Sequence, residues 1–288
     1  MELGAVFPQI ELGGDPEAAW AFAEGVADLG FDHLLAYDHV LGAVHADRTP
    51  PLTGPYTERD PFHDPFVLFA YLAGRLERLR FVTGVIVLPQ RQTALVARQA
   101  ADLDLFSGGR LTLGVGIGWN HVEYRALGQD FSRRGRRMGE QIELLRRLWT
   151  EPVVDFEGGF DHVERAATLP LPRRPIPIWC GGWSDAAYRR AARLADGFLF
   201  SHNRGAAEGW ARMRAALDEA GRSPEGFDAG LTLRADTAGE AAERAHAWAE
   251  EGGTHLSVIT MQHGFDSVQA HLDHLAEFAE GVGLRPKG

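Results

Sequence analysis

The middle of the chain reads Leu111-Thr112-Leu113-Gly114-Val115-Gly116-Ile117-Gly118-Trp119-Asn120. Its first five residues are apolar, small or β-branched, which is typical of a short buried strand. The glycines have the spacing G-x-G-x-G, whereas a dinucleotide-binding turn has G-x-G-x-x-G and opens a helix. We expect no helix directly after this stretch, so the pattern disfavours a Rossmann fold.

Outward from this stretch, short apolar runs alternate with longer segments of helical period. In the first helical segment, Phe22, Val26 and Leu29 fall on one face. Such alternation is typical of βα units on a parallel sheet, and eight units can close into a barrel. The predicted strands span residues 3–7, 33–37, 80–87, 111–115, 176–180, 197–201, 229–234 and 255–260. We therefore predict an α/β fold, a (β/α)8 TIM barrel in which residues 1–288 form a single domain.

Two connections are too long for plain barrel loops. Residues 40–63 follow the second strand, so they should lie over the mouth of the barrel as a substrate-covering loop. Residues 152–175 separate the fourth helix from the fifth strand, and segments 153–156 and 160–163 flank Gly158-Gly159 as a small hairpin. The barrel is therefore predicted to carry insertion loops, with the first at its C-terminal face.

Composition limits the partners and the location that we expect. The formal net charge is −11 and the basic residues are scattered, so the sequence predicts no surface for nucleic acid or anionic membranes. Cys180 is the only cysteine, and the start of the chain lacks the regions of a signal peptide. No apolar run approaches the roughly 20 residues that span a bilayer. We therefore expect a cytoplasmic protein.

Functional groups in such a barrel are expected where the strands end. The second strand ends in Asp38-His39. Imidazole can move a proton near pH 7, and a neighbouring carboxylate can orient it. This predicts His39 as a general acid or base with Asp38 orienting it. The alternative is that Asp38 caps a turn and His39 packs against the loop.

Glycines mark two further strand ends. Gly84, followed by Val85, lies where the third strand reaches the rim, and glycine within a strand marks a bulge or the close approach of a ligand. In the fourth unit, Gly116 and Gly118 suit a flat ring lying against bare backbone, with the Asn120 amide at a pyrimidine edge. We include Trp119 among these coenzyme-binding candidates. The alternative is a kinked strand in which Trp119 is a packing residue.

Two segments are candidates for contacts with a phosphate. Gly181-Gly182 lead into a helix expected at Ser184, and the amide groups at a helix N-terminus suit a phosphate; an ordinary capped turn is the alternative. Ser201-His202-Asn203 could contact a phosphate or the substrate, although polar loop residues are common, and we keep Ser201 as a coenzyme-binding candidate. Residues 133–137, with four arginines, indicate a solvated helix face, or at the rim a contact for an anionic coenzyme tail.

Metal chemistry has little support in the sequence. The twelve histidines include no H-x-H after the first strand and no H-E-x-x-H, and a single cysteine excludes a thiolate cluster. The sequence also lacks a G-x-S-x-G elbow and a Walker loop. We therefore predict no metal site, and a metal-dependent hydrolase is the least favoured function.

Together the motifs resemble those of the bacterial luciferase-like flavin and deazaflavin oxidoreductases. The resemblance covers nearly the whole chain. Its motifs are Tyr37-Asp38-His39, Thr83-Gly84-Val85, Ser107-Gly108-Gly109-Arg110, Gly114 to Asn120 with Glu123 and Tyr124, and Pro177-Ile178-Trp179 with Gly181-Gly182. This resemblance implies a barrel with a coenzyme at its mouth.

The resemblance also assigns roles to residues of this chain. It implies that the coenzyme ring is backed by a non-proline cis peptide at Gly84-Val85. The coenzyme phosphate would lie at Gly181-Gly182 with Ser184. His39, with Asp38 beside it, would stand near the reactive centre of the ring and the substrate.

The stretch from Gly118 to Tyr124 and the chain length resemble the branch that uses deazaflavin coenzyme F420. That branch implies hydride transfer between F420 and a small organic substrate. One alternative is an FMN-dependent monooxygenase, which needs oxygen and a partner flavin reductase. Another is a non-catalytic barrel that binds flavin or deazaflavin.

A homodimer is a further expectation, because the family often forms dimers through helices beside the barrel. An apolar helix face is available for such an interface, although packing against the sheet would explain the same residues. The residues of this face are Phe66, Leu68, Phe69, Tyr71 and Leu72.

Overall fold

The computed structural model describes residues 1–201 and 205–286. Its strands are β1 (Glu2–Val6), β2 (His33–Ala36), β3 (Arg80–Thr83), β4 (Ile86–Val87), β5 (Leu111–Gly116), β6 (Val154–Glu157), β7 (His162–Ala166), β8 (Ile178–Gly181), β9 (Gly197–Ser201), β10 (Asp228–Leu233) and β11 (His255–Ile259). Its α-helices are α1 (Pro16–Asp28), α2 (Pro65–Ala73), α3 (Thr93–Phe106), α4 (His121–Ala126), α5 (Arg134–Thr150), α6 (Asp185–Leu194), α7 (Ala206–Glu219), α8 (Ala238–Glu250) and α9 (Val268–Gly281).

The parallel strands form a closed ring in the order β3-β2-β1-β11-β10-β9-β8-β5-β4. β5 pairs with β3 through Thr112 and Val82, and with β4 through Gly116 and Val87. β3 and β4 therefore share one barrel position, and their common partner β5 closes the ring at eight positions. The predicted (β/α)8 barrel is confirmed.

The predicted strand ends agree with the structure to within two residues, apart from the break between β3 and β4. The predicted hairpin is also present as the antiparallel pair β6 and β7, although its second strand begins at His162. The hairpin tip reaches the mouth side of the barrel, because Asp161 Oδ2 accepts a hydrogen bond of 2.8 Å from Thr93 Oγ1 at the start of α3. Both insertions therefore approach the C-terminal face.

Apolar side chains form two buried layers. Between the helices and the sheet, Phe22 and Val26 of α1 are fully buried, as their spacing predicts. The barrel interior holds a second cluster, made of Val6, Leu35, Val82, Trp179, Leu199, Ile259 and Met261. The interior is therefore a packed core, which leaves the strand ends as the place for functional groups.

The apolar face of α2 is used within the chain itself. Phe66, Leu68, Phe69 and Leu72 are all buried against the rest of the protein, whereas Tyr71 is partly exposed. Packing therefore accounts for most of the face that we considered for a dimer. Separately, the described helices do not have the length and apolar character that crossing a membrane requires.

The opposite end of the barrel holds a buried histidine. His33 is 1% exposed, and its Nε2 lies 2.7 Å from Ser257 Oγ. Burial, together with the nearby His255, lowers the pKa of His33 to about 3. The unfolded chain takes up this proton near pH 6.5. Stability is therefore full above that pH and falls as the pH drops toward 3.

Acidification from pH 7.5 to pH 5 is expected to cost about 2 kcal/mol of unfolding free energy through His33 alone. The measurement is urea unfolding at a series of pH values. His33→Gln should reduce the slope of stability against pH by nearly one proton, whereas His246→Gln on the exposed face of α8 serves as the control. An unchanged slope in His33→Gln would contradict the assignment.

Candidate active site at the barrel mouth

A buried carboxylate holds His39, which lies three residues after the end of β2. His39 Nδ1 lies 3.0 Å from Glu123 Oε2, and the two side chains are only 9% and 1% exposed. An ionised carboxylate can only accept, so Nδ1 carries the hydrogen. Nε2 is then the nitrogen available to take a proton from a substrate.

Glu123 is fixed by several donors. Its Oε1 accepts from the backbone N–H groups of Val40 (2.7 Å) and Leu41 (3.1 Å), and its Oε2 accepts from Gln90 Nε2 at 3.4 Å. Burial opposes the charge, but the hydrogen bonds from His39 and the two backbone amides hold the pKa of Glu123 below its usual value. Glu123 therefore carries a negative charge at neutral pH.

The prediction that Asp38 orients His39 is wrong. Asp38 is buried and turned toward the next strand, where Oδ2 accepts from Val87 N–H at 2.9 Å and Oδ1 from Arg91 Nη2 at 2.7 Å. Asp38 and His39 both lie beyond the end of β2 at Ala36, and their side chains have separate partners, so Asp38 does not reach His39. Asp38 therefore ties the end of β2 to β4, and Glu123 takes the role that we expected of Asp38.

Aromatic rings surround His39. The centroids of Phe62, Trp119 and Tyr56 lie 5.0, 5.3 and 5.6 Å from its ring. Tyr56 and Phe62 belong to the long loop 40–63, and the Trp119 ring lies so close to Gly54 that a Cβ there would come within 2.1 Å of it. The predicted mouth loop therefore packs onto His39 and limits the access of water.

The third barrel strand is interrupted by a bulge with a cis peptide between Gly84 and Val85, as the family resemblance implies. The Val85 side chain occupies the space over the glycines of β5, because a Cβ on Gly116 would lie 2.4 Å from Val85 Cγ2. A Cβ on Gly181 would lie 3.0 Å from Val85 Cγ1. The glycines thus seat Val85, rather than presenting bare backbone to a ring as we predicted.

The predicted contact between Asn120 and a coenzyme ring does not agree with the structure. Asn120 is the N-cap of α4: its Oδ1 accepts from the N–H groups of Val122 (3.1 Å) and Glu123 (3.4 Å), and its Nδ2 donates to Leu41 O. The expectation that no helix follows the glycines is therefore also wrong. Asn120 followed three residues later by Glu123 is a capping signal in the sequence.

Asn120→Ala is expected to cost about 1 kcal/mol of stability through loss of the cap. Asn120→Ser keeps a neutral oxygen acceptor for the cap and should cost less. Denaturant unfolding of both variants tests the cap. If Asn120 caps α4 without touching the coenzyme ring, coenzyme affinity should fall little in Asn120→Ser. A large loss of affinity without loss of stability would restore the predicted ring contact.

The predicted phosphate segment forms a capped turn into α6. Ser184 is the N-cap, with its Oγ accepting from Ala187 N–H at 3.3 Å, and Gly182 has a φ of +144° that L-residues rarely adopt. Ser201 ends β9 and is half-buried. His202 and Asn203 lie outside the described residues. The segment keeps an exposed helix N-terminus. On the neighbouring unit, Gly118 packs on Val87, since a Cβ there would lie 2.6 Å from Val87 Cγ1.

Gln9 is a candidate site residue that the sequence analysis did not identify. It follows β1 at the mouth and is fully buried, yet neither its Nε2 nor its Oε1 has a hydrogen-bond partner in the described parts of the chain. A buried amide without partners carries a desolvation cost of about 1–3 kcal/mol, which the polar edge of a bound ligand would offset. The rule that strand ends carry function in barrels could have found this residue.

Potential metal ligands are dispersed in the described residues. Within residues 1–201 and 205–286, no three His, Cys, Asp or Glu side chains are grouped so that they could hold a metal ion. Cys180 is buried, and burial raises the pKa of its thiol to about 12. The thiol is therefore protonated at neutral pH and a poor ligand or nucleophile.

Relatives of this chain can be recognised by sequence. The profile of the luciferase-like monooxygenase family matches residues 3–287. An uncharacterized protein of Mycobacterium tuberculosis is 39% identical over 184 residues, 64% of this chain and 63% of that protein. Pyrimidine monooxygenase RutA of Cronobacter turicensis is 34% identical over 173 residues, 56% of this chain and 45% of RutA. The matched segments thus span less than two-thirds of these relatives.

Solved structures share the fold over nearly the full chain. Monooxygenase RslO1 from Streptomyces bottropensis superposes with a TM-score of 0.78 at 20% identity, covering 98% of both chains. An F420-dependent secondary alcohol dehydrogenase in complex with an F420-acetone adduct gives 0.78 at 15% identity, also over 98% of both. The fold and the family profile together define a barrel of the oxidoreductase and monooxygenase class. The chain belongs to the luciferase-like monooxygenase family.

Proposed function

We propose that this protein is an oxidoreductase that transfers a hydride between deazaflavin coenzyme F420 and a small organic substrate. The observation that carries the proposal is the buried pair of His39 and Glu123, 3.0 Å apart. Oxidation of an alcohol to a carbonyl releases a hydride and a proton, and the pair can accept that proton. The F420-dependent alcohol dehydrogenase supports the proposal through its shared fold.

Bound F420 would supply the hydride acceptor or donor at the mouth of the barrel. In alcohol oxidation, His39 Nε2 takes the hydroxyl proton as the carbonyl forms, and in reduction it returns that proton to the carbonyl oxygen. Glu123 stabilises the imidazolium by its negative charge. The rings of Tyr56, Phe62 and Trp119 orient the substrate and exclude water, which strengthens this charge interaction.

The residues present fit a flat, anionic coenzyme. Val85 presents its side chain on the bulge, the unpartnered amide of Gln9 can meet a polar ring edge, and the capped turn at Gly182 and Ser184 offers a helix N-terminus to a phosphate. We assign Ser201 to the same coenzyme site because it ends β9, the strand that pairs with β8. Asp38 positions this site through Arg91 and Val87 and does not touch the reacting atoms.

The second candidate is an FMN-dependent monooxygenase. The observation that favours it is the 34% identity with pyrimidine monooxygenase RutA over 173 residues. Such an enzyme would need reduced flavin from a partner reductase and would consume oxygen. The same mouth residues would hold FMN. His39 and Glu123 would then act in the oxygen-dependent reaction and not in hydride transfer. A non-catalytic coenzyme-binding barrel would leave that pair without a use.

Anaerobic assays separate these functions. The purified protein is mixed with oxidised F420 and a panel of small secondary alcohols, and with reduced F420 and the matching carbonyl compounds, while coenzyme absorbance is followed. Hydride transfer without oxygen is the expected result. Turnover that appears only with reduced FMN and oxygen would instead establish the monooxygenase. Binding of F420 without turnover on any substrate would favour the non-catalytic barrel.

A further inference from the structure

A groove with a volume of about 820 Å³ runs along the outside of the barrel between α5 and α6, beside the β6–β7 hairpin. Five arginines line it: Arg133, Arg136, Arg189, Arg190 and Arg193. In the part of the chain that the structure describes, none of the five forms a salt bridge. By contrast, Arg146 lower on α5 pairs with Asp196 at 2.9 Å. The groove therefore holds an excess of uncompensated cations.

The acidic residues of the groove do not balance these charges. Both oxygens of Glu140 are occupied by backbone N–H groups of the hairpin turn at Gly159, Phe160 and Asp161, at 2.7 to 2.8 Å. Glu157 pairs with His162. Glu143 remains as the third acid. A cationic groove is unexpected in a protein with a net charge of −11, which indicates that it meets an anion.

Two glycines of α5 face side chains of α6 across this groove. A Cβ on Gly135 of α5 would lie 2.9 Å from Arg190 Nη2, and Gly139 faces Leu194 one turn further along. A glycine inside a helix costs about 1 kcal/mol relative to alanine. Arg190 itself is half-buried, and that burial lowers its pKa. Gly135 thus leaves room for the half-buried Arg190 guanidinium at the floor of the groove, instead of leaving it wholly in solvent.

The groove begins where the coenzyme phosphate is proposed. Ala186, in the first turn of α6, lines its upper end two residues after Ser184. Arg189, Arg190 and Arg193 follow at spacings of three and four residues, which places them on one side of the helix. At 1.5 Å per residue, the lining of α6 from Ala186 to Arg193 covers roughly 10 Å. A chain of repeated anionic groups could follow this row from the phosphate outward.

We propose that the groove binds the anionic tail of F420, in which γ-linked glutamates follow the phosphate. This proposal rests on the proposed function. The repeated carboxylates of the tail would pair with successive guanidiniums of α5 and α6, which are geometrically suited to carboxylates. FMN ends in a single phosphate and would leave Arg190 and Arg193 unpaired. The groove is thus the feature of this chain that distinguishes the two coenzymes.

Binding measurements with three probes test the tail site: F420 with several glutamates, F420 lacking all glutamates, and a fluorescent γ-linked oligoglutamate alone. In the wild type the tail should raise coenzyme affinity, and this gain should shrink as salt is added. The double variant Arg190→Gln/Arg193→Gln should lose roughly threefold to tenfold for the tailed coenzyme, with little change for the tailless one. Arg173→Gln, which removes an exposed charge before β8, is the matched control.

Two results would overturn the tail site. One is equal affinity of the wild type for tailed and tailless F420. The other is an equal loss for both coenzyme forms in the double variant, which would indicate a structural effect. The free oligoglutamate separates the two proposals. If it binds the wild type and not the double variant while no form of F420 binds, the groove is an oligoglutamate site and the proposed function fails. If the oligoglutamate and both forms of F420 all fail to bind the wild type, the tail site and the proposed function both fail.

Discussion

Replacing His39 by alanine is expected to lower kcat by about 10²-fold to 10⁴-fold, the contribution typical of a positioned acid or base. The ring is held by Glu123 and surrounded by aromatic side chains, so its loss removes the proton acceptor and leaves the bulge and the phosphate turn in place. The coenzyme Kd should change by less than about threefold, or roughly 0.6 kcal/mol. Steady-state kinetics and coenzyme titration of the same preparation provide both values.

Glu123→Gln is the matched variant for this prediction. Its amide would face Nδ1 with either a donor or a neutral acceptor, so the imidazolium loses its counter-charge and the tautomer is no longer fixed. We expect kcat to fall by at least about tenfold. The double variant His39→Ala/Glu123→Gln should have a kcat no lower than that of His39→Ala alone, because the two residues act as one unit. Equal losses of kcat and coenzyme affinity in His39→Ala, or full additivity in the double variant, would contradict the assigned roles.

Arg91→Met is expected to cause the largest loss of stability, about 3–5 kcal/mol, because it leaves the buried carboxylate of Asp38 without its counter-charge. Asp38 is 1% exposed at its side chain and lies 2.7 Å from Arg91, which also bonds Asp64 at 2.9 Å. Burial outweighs Arg91 and raises the pKa of Asp38. Without Arg91 the pKa would rise further. Urea unfolding at pH 7 measures the loss.

The control for this prediction is the double variant Asp38→Asn/Arg91→Met. It removes both charges, so it should recover part of the stability that Arg91→Met loses. Arg91 also pairs with Asp64 Oδ2 at 2.9 Å, so part of the loss in both variants comes from that ion pair, whereas the cap that Asp64 Oδ1 forms with Phe66 N–H stays. A loss below about 1 kcal/mol in Arg91→Met would show that the pair does not hold the end of β2.

The barrel could be predicted from the sequence because its signals are local. Alternation of apolar runs with helical stripes fixes each βα unit within a few dozen residues, and the glycine at position 84 marked the break between β3 and β4. The Asp15-Pro16 and Asp64-Pro65 pairs likewise begin α1 and α2, where each aspartate caps two backbone amides. These features need no knowledge of distant neighbours.

The partners in the site could not be predicted in the same way, since they depend on closure of the barrel. Glu123 is 84 residues from His39 in sequence, whereas Asp38 is adjacent to it, and the sequence favoured the adjacent carboxylate. Asp38 turns toward Val87 and Arg91 instead, so adjacency was the weaker argument. The space over Gly116 was similarly assigned to a ligand, because only the folded chain places Val85 there.

The most direct test of the central claim is a titration of the purified protein with F420 and, separately, with FMN, following coenzyme fluorescence. The proposed hydride transfer predicts that F420 binds more tightly, because only F420 can use both the phosphate turn at Ser184 and the arginine groove beside it. Tighter binding of FMN would contradict the claim and make the flavin monooxygenase the leading function. Absence of binding by either coenzyme would contradict both.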